Sequence, residues 1–131
     1  MSVEYKVVKI VPPGKKEEDC NPYYPRITKR VKRDLRDLAE DISQISTFST
    51  IDVIGVLEAF TSLIPNYLKD NCSVELGDLG TFSLHINAEG SESPEKVSRH
   101  NVKGVKMAFR PSPRVKKDLQ TTTFKKLPTK K

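Results

Sequence analysis

The hydrophobic period changes several times along the chain. Residues 3–11, Val-Glu-Tyr-Lys-Val-Val-Lys-Ile-Val, open with alternating apolar and polar positions, are rich in β-branched side chains, and stop at Pro12-Pro13-Gly14. That pattern predicts a strand and a turn. Residues 15–22 are charged and end in Asn-Pro, a flexible loop, after which Tyr23–Thr28 reads as a short strand pairing back on the first. From Lys32 the period becomes helical. Leu35, Leu38, Ile42 and Ile45 recur at steps of three and four with charged residues between them, which predicts an amphipathic helix over Val31–Ile45. After the connection Ser46-Thr47-Phe48, Ser49 has the spacing of an N-cap with Asp52 three residues on, opening a second helix. Its apolar positions are Val53, Val56, Leu57, Phe60, Leu63, Ile64, Tyr67 and Leu68. This face is wider than one short helix can cover, so one side is expected to pack within the protomer and another against a second copy. Pro65 is expected to kink the helix or start a new turn, since it cannot donate to the carbonyl four residues back, and Asn71 to close the unit.

Strand signals then return. Ser73–Ile86 contains two strand patterns joined through Gly77-Asp78-Leu79-Gly80, and Lys103–Arg110 alternates Val105, Met107 and Phe109 with Lys106 and Arg110 on the other side. Ser112-Pro113 pairs an N-cap with proline at the first helical position, which predicts a last helix from Pro113 to about Gln120 carrying Arg114, Lys116 and Lys117. From Thr121 the chain is polar and basic and reads as a mobile tail.

Composition alters this picture in two ways. The 131 residues amount to one domain with room for a small appendage, but only 36% are hydrophobic and 7% aromatic. A single protomer is thus poorly supplied for its own core, and either part of the chain is disordered or a partner completes the core. Charge is also segregated. Residues 26–36 hold six Lys/Arg against Asp34, a balance of +5; residues 37–95 hold Lys69 against eleven acids, −10; residues 96–131 hold twelve Lys/Arg against Asp118, +11. Such segregation turns a basic surface toward a polyanion and the acidic part toward solvent. The +5 block is read as a solvated first helix turn in preference to an added contact with that polyanion. No apolar run approaches the ~18 residues of a membrane span, and no signal-type segment opens the chain, so a cytoplasmic protein without a membrane partner is expected. Cys20 and Cys72 lie far apart without a CxxC pattern and read as reduced thiols.

The order of these elements carries a resemblance. Two helices, then Val74-Glu75-Leu76-Gly77-Asp78-Leu79-Gly80-Thr81-Phe82, then an arm-length segment, then Phe109-Arg110-Pro111-Ser112-Pro113 and a basic helix, resemble the bacterial HU/IHF family of DNA-binding proteins over residues 32–121. With Tyr5-Lys6-Val7-Val8-Lys9 and Tyr23-Tyr24-Pro25 added, the layout is similar to an N-terminally extended HU-like subgroup. The resemblance implies an α+β, IHF-like DNA-binding fold: two N-terminal helices, a three-stranded antiparallel sheet with a β-arm, and a short C-terminal helix, in an intertwined homodimer. The expected organisation is an N-terminal β extension over 1–30, the HU/IHF-like domain over 31–121 and a basic flexible tail over 122–131.

The implied partner is double-stranded DNA, bound in a sequence-tolerant way by a histone-like homodimer active in chromosome architecture or compaction within the nucleoid. Arg99, Lys103, Lys106, Arg110, Arg114, Lys116 and Lys117 are the candidate DNA contacts, because cations facing phosphates release counterions without reading bases. Family arms wedge an apolar side chain between base steps, and Pro94 stands near that place. However, Glu89, Glu92 and Glu95 surround it, and Ser93-Pro94-Glu95 competes as an N-cap, first-position proline and early acid. Arg99, His100 and Lys103 are the better arm contacts. His85 and His100 lack ligand spacing, no catalytic or phosphate-binding signature occurs, and neither metal, cofactor, small-molecule substrate nor enzyme activity is expected. The competing function is a protein-interaction or assembly module on the same fold, using the N-terminal strands for edge pairing and with DNA bending weak or lost.

Overall fold

A computed structural model describes residues 2–128. The chain divides into two compact units, one formed by Met1–Lys32 with Asp118–Lys131 and the other by Arg33–Lys117.

The first unit is an open three-stranded sheet of order β2-β1-β6. Strand β2 (Tyr23–Ile27) pairs back antiparallel on β1 (Val3–Lys9), as the sequence predicts, and the register sets Lys6 opposite Arg26. Strand β6 (Phe124–Lys126) runs parallel to β1 with Val3 opposite Phe124. This corrects the reading of 122–131 as a flexible tail, as far as Leu127: Val3 N–H donates to Thr123 O at 2.8 Å and Leu127 N–H to Tyr5 O at 2.9 Å. The partner strand lies at the opposite end of the sequence, so no local pattern announces the pairing. The remainder of that tail, residues 129–131, lies outside the described residues.

The second unit opens with helix α1 (Leu35–Gln44), four residues later than the periodicity predicts. Asp34 stops it from extending backwards: its carboxylate accepts from Asp37 N–H at 2.9 Å, while Asp37 Oδ2 accepts from Asp34 N–H at 3.1 Å. Of the +5 block, only Arg36 therefore stands in the first helical turn, which corrects the reading of that block as one solvated turn. Helix α2 (Thr50–Lys69) is capped by Ser49, runs through Pro65, and is followed by Asn71 in the left-handed region at φ 60°. Val53, Ile64 and Leu68 of α2 and Ala39 of α1 are buried. A second stripe at helical spacing, Val56, Phe60, Leu63 and Tyr67, lies open to solvent, with Val56 at 68% exposure. With two apolar stripes around its circumference, α2 is long and apolar enough to cross a membrane by length and composition, which corrects the expectation that no segment reaches that size.

The second sheet has the order β3-β4-β5, with β3 (Val74–Glu75), β4 (Gly80–Ala88) and β5 (Val102–Pro111) all antiparallel. Gly80 is required where β4 begins: at φ +155° an added Cβ would overlap the Arg110 carbonyl oxygen and lie 2.7 Å from the Phe109 ring. The ring of Phe109 packs on Phe82 with centroids 4.8 Å apart. Helix α3 (Pro113–Leu119) closes the unit, with Ser112 Oγ accepting from Val115 N–H at 3.2 Å.

Candidate nucleic-acid interface

Cross-strand register sorts the β4–β5 hairpin into two unlike faces. Residues directly opposite share a face: Phe82 with Phe109, Leu84 with Met107 and Ile86 with Val105 form an apolar one. Thr81 with Arg110, Ser83 with Ala108, and His85 with Lys106 form a polar one, which Glu75 of β3 joins opposite Thr81. Lys106 and Arg110 therefore project from the same side of one strand, four residues apart. Among the described residues no carboxylate comes within ion-pair distance of either. The polar row Thr81, Ser83, His85 and Asn87 went unremarked as part of this face in the sequence reading, although its alternation with Phe82, Leu84 and Ile86 is legible.

The other candidates are placed differently. Lys116 and Lys117 stand on α3, exposed and likewise without a carboxylate at ion-pair distance among the described residues. Arg114, on the same helix, is held by Asp78 of the β3–β4 turn, with Nη1 to Oδ2 at 2.6 Å. Ser112 Oγ also donates to the Asp78 carbonyl, so this turn anchors the start of α3. Lys103 is the residue left without an opposite number where the β4–β5 register slips between Asn87 and Ala88, and its Nζ lies 3.6 Å from Glu89 Oε2. These exposed pairs are weak, of the order of 0–1 kcal/mol.

Residues 89–101 join the two long strands as an ordered loop. Asn101 organises it: its Nδ2 donates to Glu89 O at 2.9 Å and to Ser91 Oγ at 2.8 Å, and its Oδ1 accepts from Ser98 N–H at 2.9 Å. No motif singled out Asn101. Pro94 opens a 3₁₀ turn over Pro94–Lys96, bracketed by the 3.0 Å ion pair of Lys96 with Glu92. Pro94 thus stands at the first position of a short acidic turn, as the sequence predicts, but the Ser93 hydroxyl makes no cap hydrogen bond there. Arg99 and His100 fall in a second 3₁₀ turn, Arg99–Asn101, capped by Ser98.

The family described as an HU domain fused to wHTH, Ig, or glycine-rich motif (HU-HIG) matches residues 1–126. The chain belongs to this family. The family match takes in both sheets, including the N-terminal strands and β6. No curated protein matches the chain by sequence. Among solved structures, a Bacteroides vulgatus protein provisionally assigned as a bacterial DNA-binding protein superposes with a TM-score of 0.66 at 10% identity. The superposition covers 99% of this chain and 51% of that one, so the chain spans about half the length of this neighbour. At that identity the likeness concerns the fold alone, a mixed α+β arrangement of three helices and two small sheets.

Proposed function

We propose that this HU-HIG chain binds double-stranded DNA in a sequence-tolerant way, as a homodimer whose β4–β5 polar face and third helix meet the phosphates. The observation that carries this reading is the sorting of the hairpin: Lys106 and Arg110, without acidic partners among the described residues, on one face, and Phe82, Leu84, Met107 and Phe109 on the other. Cations held on a strand and a helix supply affinity through counterion release and need no base contacts. Membership of an HU family and likeness to a protein provisionally assigned as DNA-binding support the same reading. A role in chromosome architecture follows from such sequence-tolerant coating.

The homodimer is supported by what one protomer leaves uncovered. The stripe Val56/Phe60/Leu63/Tyr67 on α2 and the apolar hairpin face, with Met107 at 55% exposure, amount to far more apolar surface than the buried core of one chain. A second copy applied to those surfaces covers both and doubles the number of cations. Each protomer brings Lys106, Arg110, Lys116 and Lys117, unpaired among the described residues, and Arg99 in the loop. Two copies supply enough for the roughly 6–10 phosphate contacts that make binding steeply salt-dependent. Bending by a Pro94 wedge is not part of this proposal, since Pro94 opens a 3₁₀ turn beside Glu92 and Glu95.

Mobility-shift titrations of duplex DNA at 50 and 200 mM salt test the function. Affinity is expected to fall by about 10³-fold or more across that range, and the double substitution Lys106→Glu/Arg110→Glu to abolish the shift. Affinity indifferent to both salt and those substitutions would remove the reading.

A further inference from the structure

The segments that make up the unit of the sheet β2-β1-β6, outside the interface described above, hold the chain's whole excess of positive charge by sequence. Residues 1–32 and 118–131 contain twelve Lys/Arg against five Asp/Glu, a balance of +7, whereas residues 33–117 contain eleven against twelve, a balance of −1. Three of the four tyrosines also belong to this unit. Register places Tyr5, Val7, Tyr23, Pro25, Ile27 and Phe124 on one face of the sheet. Together with Lys126 they line an open depression of about 520 Å³. Tyr23 is 62% exposed and Phe124 65%.

We propose that this aromatic face is a second nucleic-acid site, a stacking platform for single-stranded DNA. Unpaired bases stack on exposed aromatic rings whatever their sequence, and the strand is held by surrounding cations. Duplex DNA does not present its base faces, so a flat aromatic surface selects unpaired strands. Charge argues for a polyanion over an apolar protein surface. On the other face of the sheet Lys6 stands directly opposite Arg26, and Lys125 on the neighbouring strand opposite Glu4, so both edge strands carry a cation behind the aromatic rings. Neither Lys6 nor Arg26 has a carboxylate at ion-pair distance among the described residues. A strand whose bases stack on the aromatic rings carries its phosphates past the edge strands β2 and β6, which hold Arg26, Lys125 and Lys126. Lys9, on the aromatic face, is engaged by Glu17, so Lys126 is the cation left to the depression itself.

The test uses the full chain and a labelled oligothymidine of about 15 nucleotides, near the upper end of known site sizes, followed by fluorescence anisotropy at low salt. Tyr23→Ala with Phe124→Ala is expected to weaken binding of the single strand at least about tenfold, a loss within the range for stacked bases, while duplex affinity stays within about twofold. Lys106→Glu/Arg110→Glu is expected to do the reverse, so failure of this site and failure of the duplex reading are told apart. The chain has no tryptophan, so in a Tyr67→Phe variant the tyrosine emission comes from this unit alone, and quenching by oligothymidine is expected. Absence of quenching, equal losses on both DNA forms, or tighter binding of oligouridine than of oligothymidine overturns the proposal.

Discussion

Arg114 Nη1 lies 2.6 Å from Asp78 Oδ2, joining the first turn of α3 to the turn that connects β3 and β4. Arg114 thereby positions the helix that carries Lys116 and Lys117 and contributes little free charge of its own. Asp78→Asn removes the carboxylate but keeps the backbone carbonyl that accepts from Ser112 Oγ. Duplex affinity is expected to rise, and the salt slope to steepen by about one for each phosphate contact Arg114 then makes. An unchanged slope in a salt titration would show that Arg114 stays out of reach of the DNA.

Gly80→Ala is expected to destabilise the chain by about 1–3 kcal/mol. An added Cβ meets the Phe109 ring at 2.7 Å and the backbone carbonyl of Arg110; the ring can turn aside only by giving up its packing on Phe82, and the carbonyl cannot withdraw without breaking the β4–β5 ladder. Urea denaturation checks this; a variant as stable as the parent contradicts the close approach.

Leu63→Glu places a carboxylate in the middle of the exposed α2 stripe. Sedimentation equilibrium at micromolar concentration is expected to give twice the chain mass for the parent and the mass of one chain for the variant, with helical circular dichroism compared to separate dissociation from unfolding. A parent of single-chain mass defeats the homodimer.

The cap of α1 makes stability depend on pH. The backbone N–H of Asp37 holds the Asp34 carboxyl below its ordinary value of 3.8, with further hydrogen bonds acting in the same direction. A group lowered on folding contributes stability above its unfolded value and loses it as pH falls through the folded one. Asp34→Asn keeps the capping oxygen without the titration, so the parent should lose thermal stability relative to this variant as pH falls below about 3.8. Parallel curves from pH 6 to pH 2.5 would count against this account.

Ser49→Ala removes the acceptor for Asp52 N–H at 3.2 Å. A loss of about 1 kcal/mol, ordinary for an N-cap, is expected in thermal unfolding.

Much of this was legible in sequence because it is encoded within a few residues. Ser49 and Ser112 announce helix starts through their own hydroxyls, and alternation along β5 puts Lys106 and Arg110 on one side. The Asp34–Asp37 cap was equally local but lay hidden in a charged run, where periodicity carried the helix four residues too far back. Pro94 shows two local signals in competition; it stands at the start of a 3₁₀ turn closed by backbone hydrogen bonds, with no cap from the Ser93 hydroxyl.

Sequence alone therefore determined the order of the elements from β1 to α3, the faces of the strands and the Ser49 and Ser112 caps, since each depends on neighbours within about one turn or strand, and that order in turn carried the HU-like resemblance. Tertiary structure decided which cations are already engaged, pairing Arg114 with Asp78 across 36 residues and Lys103 with Glu89 across the hairpin. It also decided that Phe124–Lys126 completes the N-terminal sheet, gathering the positive charge of both chain ends onto one small unit. These are contacts between residues far apart along the chain. Periodicity has no access to them, because only the closed fold brings such groups within the few ångströms over which hydrogen bonds and ion pairs act.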